Sequence, residues 1–321
     1  MSLAFADADW VERYEAVCAG GAVGLLQQMM THNVTVETSL GRVYGRADLT
    51  ATLAGEQAGL RVTGVTGTGA FCGRADSRSA IVVSLDLAVD HIGASAIFGA
   101  PTGGSATLSS TLFGLVHGTR VYHAWRVVDY AAAARGLGLD PAVRAGSLAA
   151  DAPKRGGIPW EFGEVRAGRA QAAPAHSDPL PSGLSAGTAR VVALQSAWNL
   201  RRPDLVSALY AAPHAASGGT SSASPGPDHP WSQVVRACPD AVLFLEDTAE
   251  SVREGDASSV GVVWRWVGTH SGVGYGAPTG RRIHARGLSV LQVSGAGIVK
   301  ERVVLDQLGV LRDLTIRGRV D

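Results

Sequence analysis

Charge is scarce in this sequence and evenly balanced. Charged residues make up 17%, with 28 Lys plus Arg against 28 Asp plus Glu, where an average globular chain carries about a quarter. A surface that tracks phosphates needs a concentrated basic excess, so nucleic acid is not an expected partner. Cysteine is scarcer still. Cys18, Cys72 and Cys238 stand at wide, irregular spacings that build neither a disulfide framework nor a Cys-based zinc knuckle, which fits a reducing cytoplasm. Long apolar runs are missing too: none approaches the ~18 residues a membrane helix needs, and Met1–Asp7 has neither a basic flank nor an apolar signal core. The expectation is a soluble, unexported, cytoplasmic protein without membrane contact.

Several catalytic signatures are also lacking. There is no HExxH helix, no carboxylate-rich calcium loop and no pair of histidines at metal spacing, so no metal site is expected. Without a G-x-S-x-G elbow, Ser-His-Asp hydrolysis has little support. The nearest glycine pattern to a dinucleotide fingerprint, Gly67-Thr68-Gly69 followed by Gly73, has the wrong spacing and no following helix, and reads as loop.

What the chain has in excess is glycine, 41 of 321 residues, and with it a repeat. Gly99-Ala100-Pro101-Thr102-Gly103 recurs 177 positions later as Gly276-Ala277-Pro278-Thr279-Gly280, and the same offset carries Asp129 onto Asp306. Upstream, Tyr14 to Met30 lies over Leu194 to Tyr210. Each is a helical pattern broken midway, by Gly20-Gly21 in one and by Arg202-Pro203 in the other, where Pro203 suits the first turn of a new helix. Copies this long match domains rather than solenoid repeats. The expected division is a domain over 1–150, a Pro/Gly-rich linker over 151–187 with Trp160 and Phe162 as anchors, and a second domain over 188–321.

Each copy places helices first and strands after. Trp10, Tyr14, Val17 and Cys18 share a helical face; Val34–Glu37 reads as a strand, Gly41–Gly45 as a turn and Ala47–Gly55 as a helix. The alternation from Ile81 to Asp90 predicts a half-buried strand, followed by Thr107–Val116 and Arg120–Val128 about a turn at His117-Gly118. Ala257–Val267, Arg282–Val293 and Ile298–Leu305 are the counterparts, the last two joined across Ser294–Gly297. Grouped helices and antiparallel strands make an α+β layer and exclude alternating βαβ units.

The run from Cys238-Pro239-Asp240 through Glu254-Gly255-Asp256, Gly268-Thr269-His270-Ser271-Gly272, the GAPTG turn and Asp306-Gln307-Leu308-Gly309-Val310-Leu311 resembles the SnoaL-like polyketide cyclases of the NTF2-like superfamily. Thr31–Leu49, the first GAPTG turn and Trp125–Asp129 are similar more weakly. The resemblance implies two cones, each a curved antiparallel sheet wrapped on N-terminal helices around an apolar pocket. It implies cofactor-free chemistry on a small hydrophobic carbonyl compound, with the aspartate at Asp129 or Asp306 as general base. By its own chemistry His270 reads either as a proton donor or oxyanion partner or as a satisfied structural group at a strand end. Trp10, Tyr14, Trp125, Trp198, Trp264 and Trp266 would wall the pockets, and Gly99, Gly114, Gly276 and Gly287 would let the sheets bend. Trp125 shares a strand face with Asp129, and Arg302 with Asp306.

The family's Glu-x-Trp run is split, Trp125 surviving in one copy and Glu301 in the other. Each aspartate has a structural alternative as the cap of the helix that follows it. The tryptophans have one as ordinary core. His284, Arg286 and Gln292 share a face that is either pocket or outer surface, and Val299, Val303 and Leu305 form a stripe suited to pairing through the sheet's outer face, as an internal pseudo-dimer or a homodimer. A non-catalytic small-molecule carrier, or a hydrolase or dehydratase on the same fold, stays open beside the cyclase.

Overall fold

In a computed structural model, residues 7–151, 184–211, 229–252 and 257–315 are described. Most of the 151–187 stretch, with Trp160 and Phe162, and Glu254-Gly255-Asp256 lie outside the described residues. The architecture is α+β, and the contacts group into two compact units. Among the described residues no helix is long and apolar enough to cross a membrane.

In the first unit, Trp10, Tyr14, Val17 and Cys18 fall on one side of α1 (Asp7–Cys18) and are all buried. The chain then breaks at Gly20, at a φ of +90° that glycine adopts without strain. A single 3₁₀ turn (Val23–Leu25) and α2 (Leu26–Met29) lead into β1 (Met30–Thr38). The segment Gly41–Tyr44, expected as a turn, is a second strand, β2, paired antiparallel to β1. Then follow α3 (Arg46–Gln57), β3 (Leu60–Ala75), β4 (Arg78–His91), β5 (Ser105–His117), β6 (Arg120–Val128), α4 (Tyr130–Gly136) and α5 (Pro141–Asp151).

Strands in this unit neighbour one another in the order β3-β4-β5-β6-β1-β2, with β1 parallel to β6. The glycines at 67, 69 and 73 lie inside β3 rather than in a loop. The strand β4 is buried on both faces from Ala80 to Leu85, so its alternation does not mark a wet side.

The second unit begins with α6 (Ala186–Asn199) and α7 (Pro203–Ala208), with Pro203 in the first turn of α7 as its fixed φ favours. After α8 (Pro230–Ala237) come β7 (Val242–Val252), β8 (Ser258–Thr269), β9 (Arg282–Ser294) and β10 (Gly297–Leu305), antiparallel in that order. The final helix, α9 (Gln307–Thr315), groups with the first unit, where it packs on α5 and α4. Residues Gly73–Asp76 group with the second unit, so the contact grouping departs from a simple boundary near 188 at both places.

One glycine expected to bend the sheet has another task. Gly287 lies opposite Trp264 in the β8–β9 ladder, and a Cβ there would come within 2.2 Å of the indole ring. The residue leaves room for Trp264 to lie flat across the sheet.

Candidate functional site

Asp129 and Asp306 stand where a strand hands over to a helix. Asp129 Oδ1 accepts the Ala132 N–H at 2.8 Å and caps α4. Asp306 Oδ1 accepts the Gly309 N–H at 2.9 Å in the first turn of α9. Both carboxylates therefore satisfy backbone donors that a helix start leaves open. Burial pushes the Asp129 carboxyl above the usual carboxylate range, opposed by the Ala132 N–H and the Arg135 charge.

His270 is fully buried, and its ring is tied into the glycine-rich loop beside it. Nδ1 meets Thr279 Oγ1 at 3.1 Å and Nε2 meets the Gly274 carbonyl at 2.7 Å. Its carbonyl accepts the N–H groups of Thr279 and Gly280. With both ring nitrogens engaged, His270 clamps the loop.

The first unit repeats part of this clamp where the sequence has His91-Ile92-Gly93 in place of a GTH-x-G run, with His91 Nε2 buried and unpartnered among the described residues. His91 Nδ1 faces Thr102 Oγ1 at 3.3 Å, and the His91 carbonyl accepts the Gly103 N–H. The loop glycines match as well, Gly99 and Gly103 at φ of +86° and +70°, Gly276 and Gly280 at +104° and +67°. A His-to-Thr spacing that differs by two residues hid His91 from the fixed 177 offset.

Trp10 and Tyr14 stack with ring centroids 5.4 Å apart beneath the first sheet. There the Arg126 guanidinium pairs with Glu56 of α3 at 2.5 Å, and both side chains are more than nine-tenths buried. Burial raises the Tyr14, Cys18 and Tyr130 pKa values, with Arg126 opposing. This is the helix-covered face of β6, and Trp125 points the other way. Its ring lies 4.3 Å from His123 and 5.6 Å from Phe113, in an open cleft of ≈ 460 Å³ with Asn33, Thr35, Arg78, Leu115 and Tyr122. Trp125 thus stands on the face of β6 away from α1 and α3, whereas Asp129 lies past the end of the strand as the cap of α4.

In the second unit Trp198, Trp264 and Trp266 do converge, and Trp231 joins them. Ring centroids lie 5.7 Å apart for Trp198–Trp231, 5.2 Å for Trp231–Trp264 and 6.1 Å for Trp231–Trp266. Trp264 Nε1 donates to Ser289 Oγ at 3.0 Å. The Arg201 guanidinium sits 5.6 Å over the Trp266 ring.

On β10, Glu301 faces this cluster and is 1% exposed. The Tyr210 hydroxyl and His229 Nε2, the latter at 3.3 Å, both meet Glu301 Oε2. Val303 and Leu305 alternate onto the Glu301 face and are buried, while Val299 sits 40% exposed at a bulge. The expected outward apolar stripe therefore belongs mainly to the inside. His284 and Arg286 lie on the opposite face, where Arg286 approaches Glu246 at 3.5 Å; burial and the charges of Arg286 and Arg265 push the His284 ring well below its usual value.

Sequence reasoning missed Tyr210, His229 and Trp231. A detectable signal existed: His229-Pro230-Trp231 reads as an N-cap, a proline at the first helical position and an apolar first turn. Among the described residues no group of three or more His, Cys, Asp or Glu side chains is placed to hold a metal ion.

Residues 189–314 match the SnoaL-like polyketide cyclase family. Comparison with curated proteins returns no match. Similar solved structures include a protein of Jannaschia sp. CCS1 assigned as a SnoaL-like polyketide cyclase, at 16% identity, covering 41% of this chain and 90% of that one, with a TM-score of 0.35. A protein of Catenulispora acidiphila with a ketosteroid isomerase-like fold, solved with trimethylamine, is 16% identical and covers 41% and 93%, with a TM-score of 0.34. TsrD of Streptomyces laurentii is 14% identical and covers 41% and 93%, with a TM-score of 0.35.

Proposed function

We propose that the stretch 189–314, which matches the SnoaL-like polyketide cyclase family, binds a small hydrophobic carbonyl compound and moves a proton from its acidic carbon without a cofactor. The observation that carries this reading is the meeting of a buried carboxylate with four tryptophans on the helix-covered face of the second sheet. A positioned carboxylate can take a proton from a C–H between carbonyl groups, and rigid aromatic walls suit a flat guest. The strand β10 carries the buried Glu301, and the buried Asp306, which groups with the first unit, follows its last residue. The family resemblance points to Asp306. The matching His–Thr clamps and GAPTG turns support reading the two units as copies of one ancestral domain, the first with Asp129 at the equivalent position.

A second reading, a carrier that binds the same guest without chemistry, draws on one specific observation: Asp129 and Asp306 each serve a helix terminus and His270 serves its loop. Solvent deuterium exchange separates the two. Purified protein in D₂O buffer is mixed with ethyl benzoylacetate, an aryl β-keto ester, and loss of the C2 proton signal is followed by NMR. The catalytic reading expects exchange faster than in buffer alone. Saturation transfer from protein to ester without added exchange would leave the carrier, and neither signal would remove both.

A further inference from the structure

Two groups meet the Glu301 carboxylate, and their hydrogen bonds leave one of its oxygens over. His229 Nδ1 accepts the Trp231 N–H at 3.1 Å, so the ring proton lies on Nε2 and points to Glu301 Oε2. The Tyr210 hydroxyl donates to the same oxygen. Burial and the neighbouring carboxylate hold the Tyr210 phenol well above its ordinary value, so it stays a donor. Glu301 Oε1 is buried without a hydrogen-bond partner among the described residues, and so are Nε1 of Trp198, Trp231 and Trp266. A carboxylate oxygen and indole donors left unmatched in one aromatic cluster are costly unless something polar meets them. Trp198 is the least enclosed of these rings and lies 5.3 Å from His229.

Resting on the proton chemistry proposed above, we infer that Glu301 is the base of this unit, positioned by Tyr210 and His229, and that its ligand is a flat, enolisable carbonyl compound lying against Trp198. Glu301 Oε1 takes the proton of the C–H bond, whose electron pair becomes the enolate. An indole N–H donates to the enolate oxygen. When the enolate carbon attacks a second carbonyl of the same molecule, the alkoxide formed takes the proton back from Glu301, and no other reactant is consumed. The two Oε2 contacts fix the carboxylate plane and leave Oε1 turned to the ligand.

The test is the ethyl benzoylacetate exchange assay on the full chain with Glu301→Gln, Asp306→Asn and Tyr210→Phe. Glu301→Gln keeps the side-chain shape and is expected to slow exchange by about 10²–10⁴-fold, the usual share of a positioned base, while saturation transfer from the ester persists. Tyr210→Phe, which leaves the carboxylate in place, is expected to slow exchange about tenfold with ester affinity unchanged, as loss of positioning rather than of binding. If Glu301→Gln fails to fold, the Tyr210→Phe split carries the decision: full exchange in that variant overturns the inference. Wild-type exchange in Glu301→Gln together with silence in Asp306→Asn would move the base to Asp306 and leave the proposed function standing. A wild-type chain that exchanges nothing overturns both.

Discussion

Asp129 shows how one side chain answers to two demands. As a cap its carboxylate meets the Ala132 N–H, yet burial favours its protonated form, and burial wins. A carboxyl that holds its proton more tightly folded than unfolded contributes stability that is complete at low pH. That contribution is lost as pH climbs from about 4, the unfolded value, through the raised folded one. Asn caps a helix about as well as Asp and cannot ionise. Asp129→Asn is therefore expected to gain melting temperature relative to wild type as pH rises from 4 to 7, with the two curves converging toward acid. Parallel curves would mean that the carboxylate pays no ionisation cost. Asp129 and Asp306 were legible from the repeat as important positions; which duty they perform was not, because a strand-end aspartate before a helix looks alike in both. The role of Glu56 was not legible, since its partner Arg126 lies 70 residues away.

At the scale of elements, the start of α6 is held from a distance. Glu250 on β7 accepts from the Thr188 N–H at 2.8 Å, from the Gly187 N–H at 3.2 Å and from the Ser185 hydroxyl. Burial would raise the Glu250 carboxyl, but these hydrogen bonds and one from Ser258 outweigh it and hold the group below its ordinary value. A depressed carboxyl contributes stability present above about pH 4.3 and lost as pH falls through the folded value. Glu250→Ala should cost about 0.5–2 kcal/mol in chemical denaturation at pH 7, the range of a lost helix cap, and less at pH 3. An equal loss at both pH values would point to packing instead of charge. Local sequence around α6 gave no sign of this cap, because its acceptor lies 62 residues from Thr188. The strands β4, β5, β8, β9 and β10 were readable from alternation and their turns. The course of β3 was not, since its glycines mimic a loop, and alternation alone left the faces of β6 and β10 unassigned.

At the scale of the whole molecule, the last helix of the chain groups with the first unit. Leu308, Val310 and Leu311 of α9 are buried, and the helix packs on α5 and α4 in the first unit, with Arg135 Nη2 donating to Gln307 Oε1 at 2.9 Å. The family match runs through this same helix to residue 314. A sequence boundary near 188 assigns α9 to the second copy by order along the chain; packing assigns it to the first, and order along the chain carries no trace of that. Each buried leucine or valine contributes about 1.5–3 kcal/mol, a large part of a domain's usual margin of about 5–15 kcal/mol. Ending the chain after Leu305 should therefore weaken the first unit. Amide hydrogen exchange is expected to accelerate in α4 and α5 of the truncated chain. Leu308→Ala in the full chain should produce a smaller shift in the same helices, near the 2–5 kcal/mol of a core truncation. Unchanged protection of α5 in both would mean that α9 adds nothing to the first unit's stability.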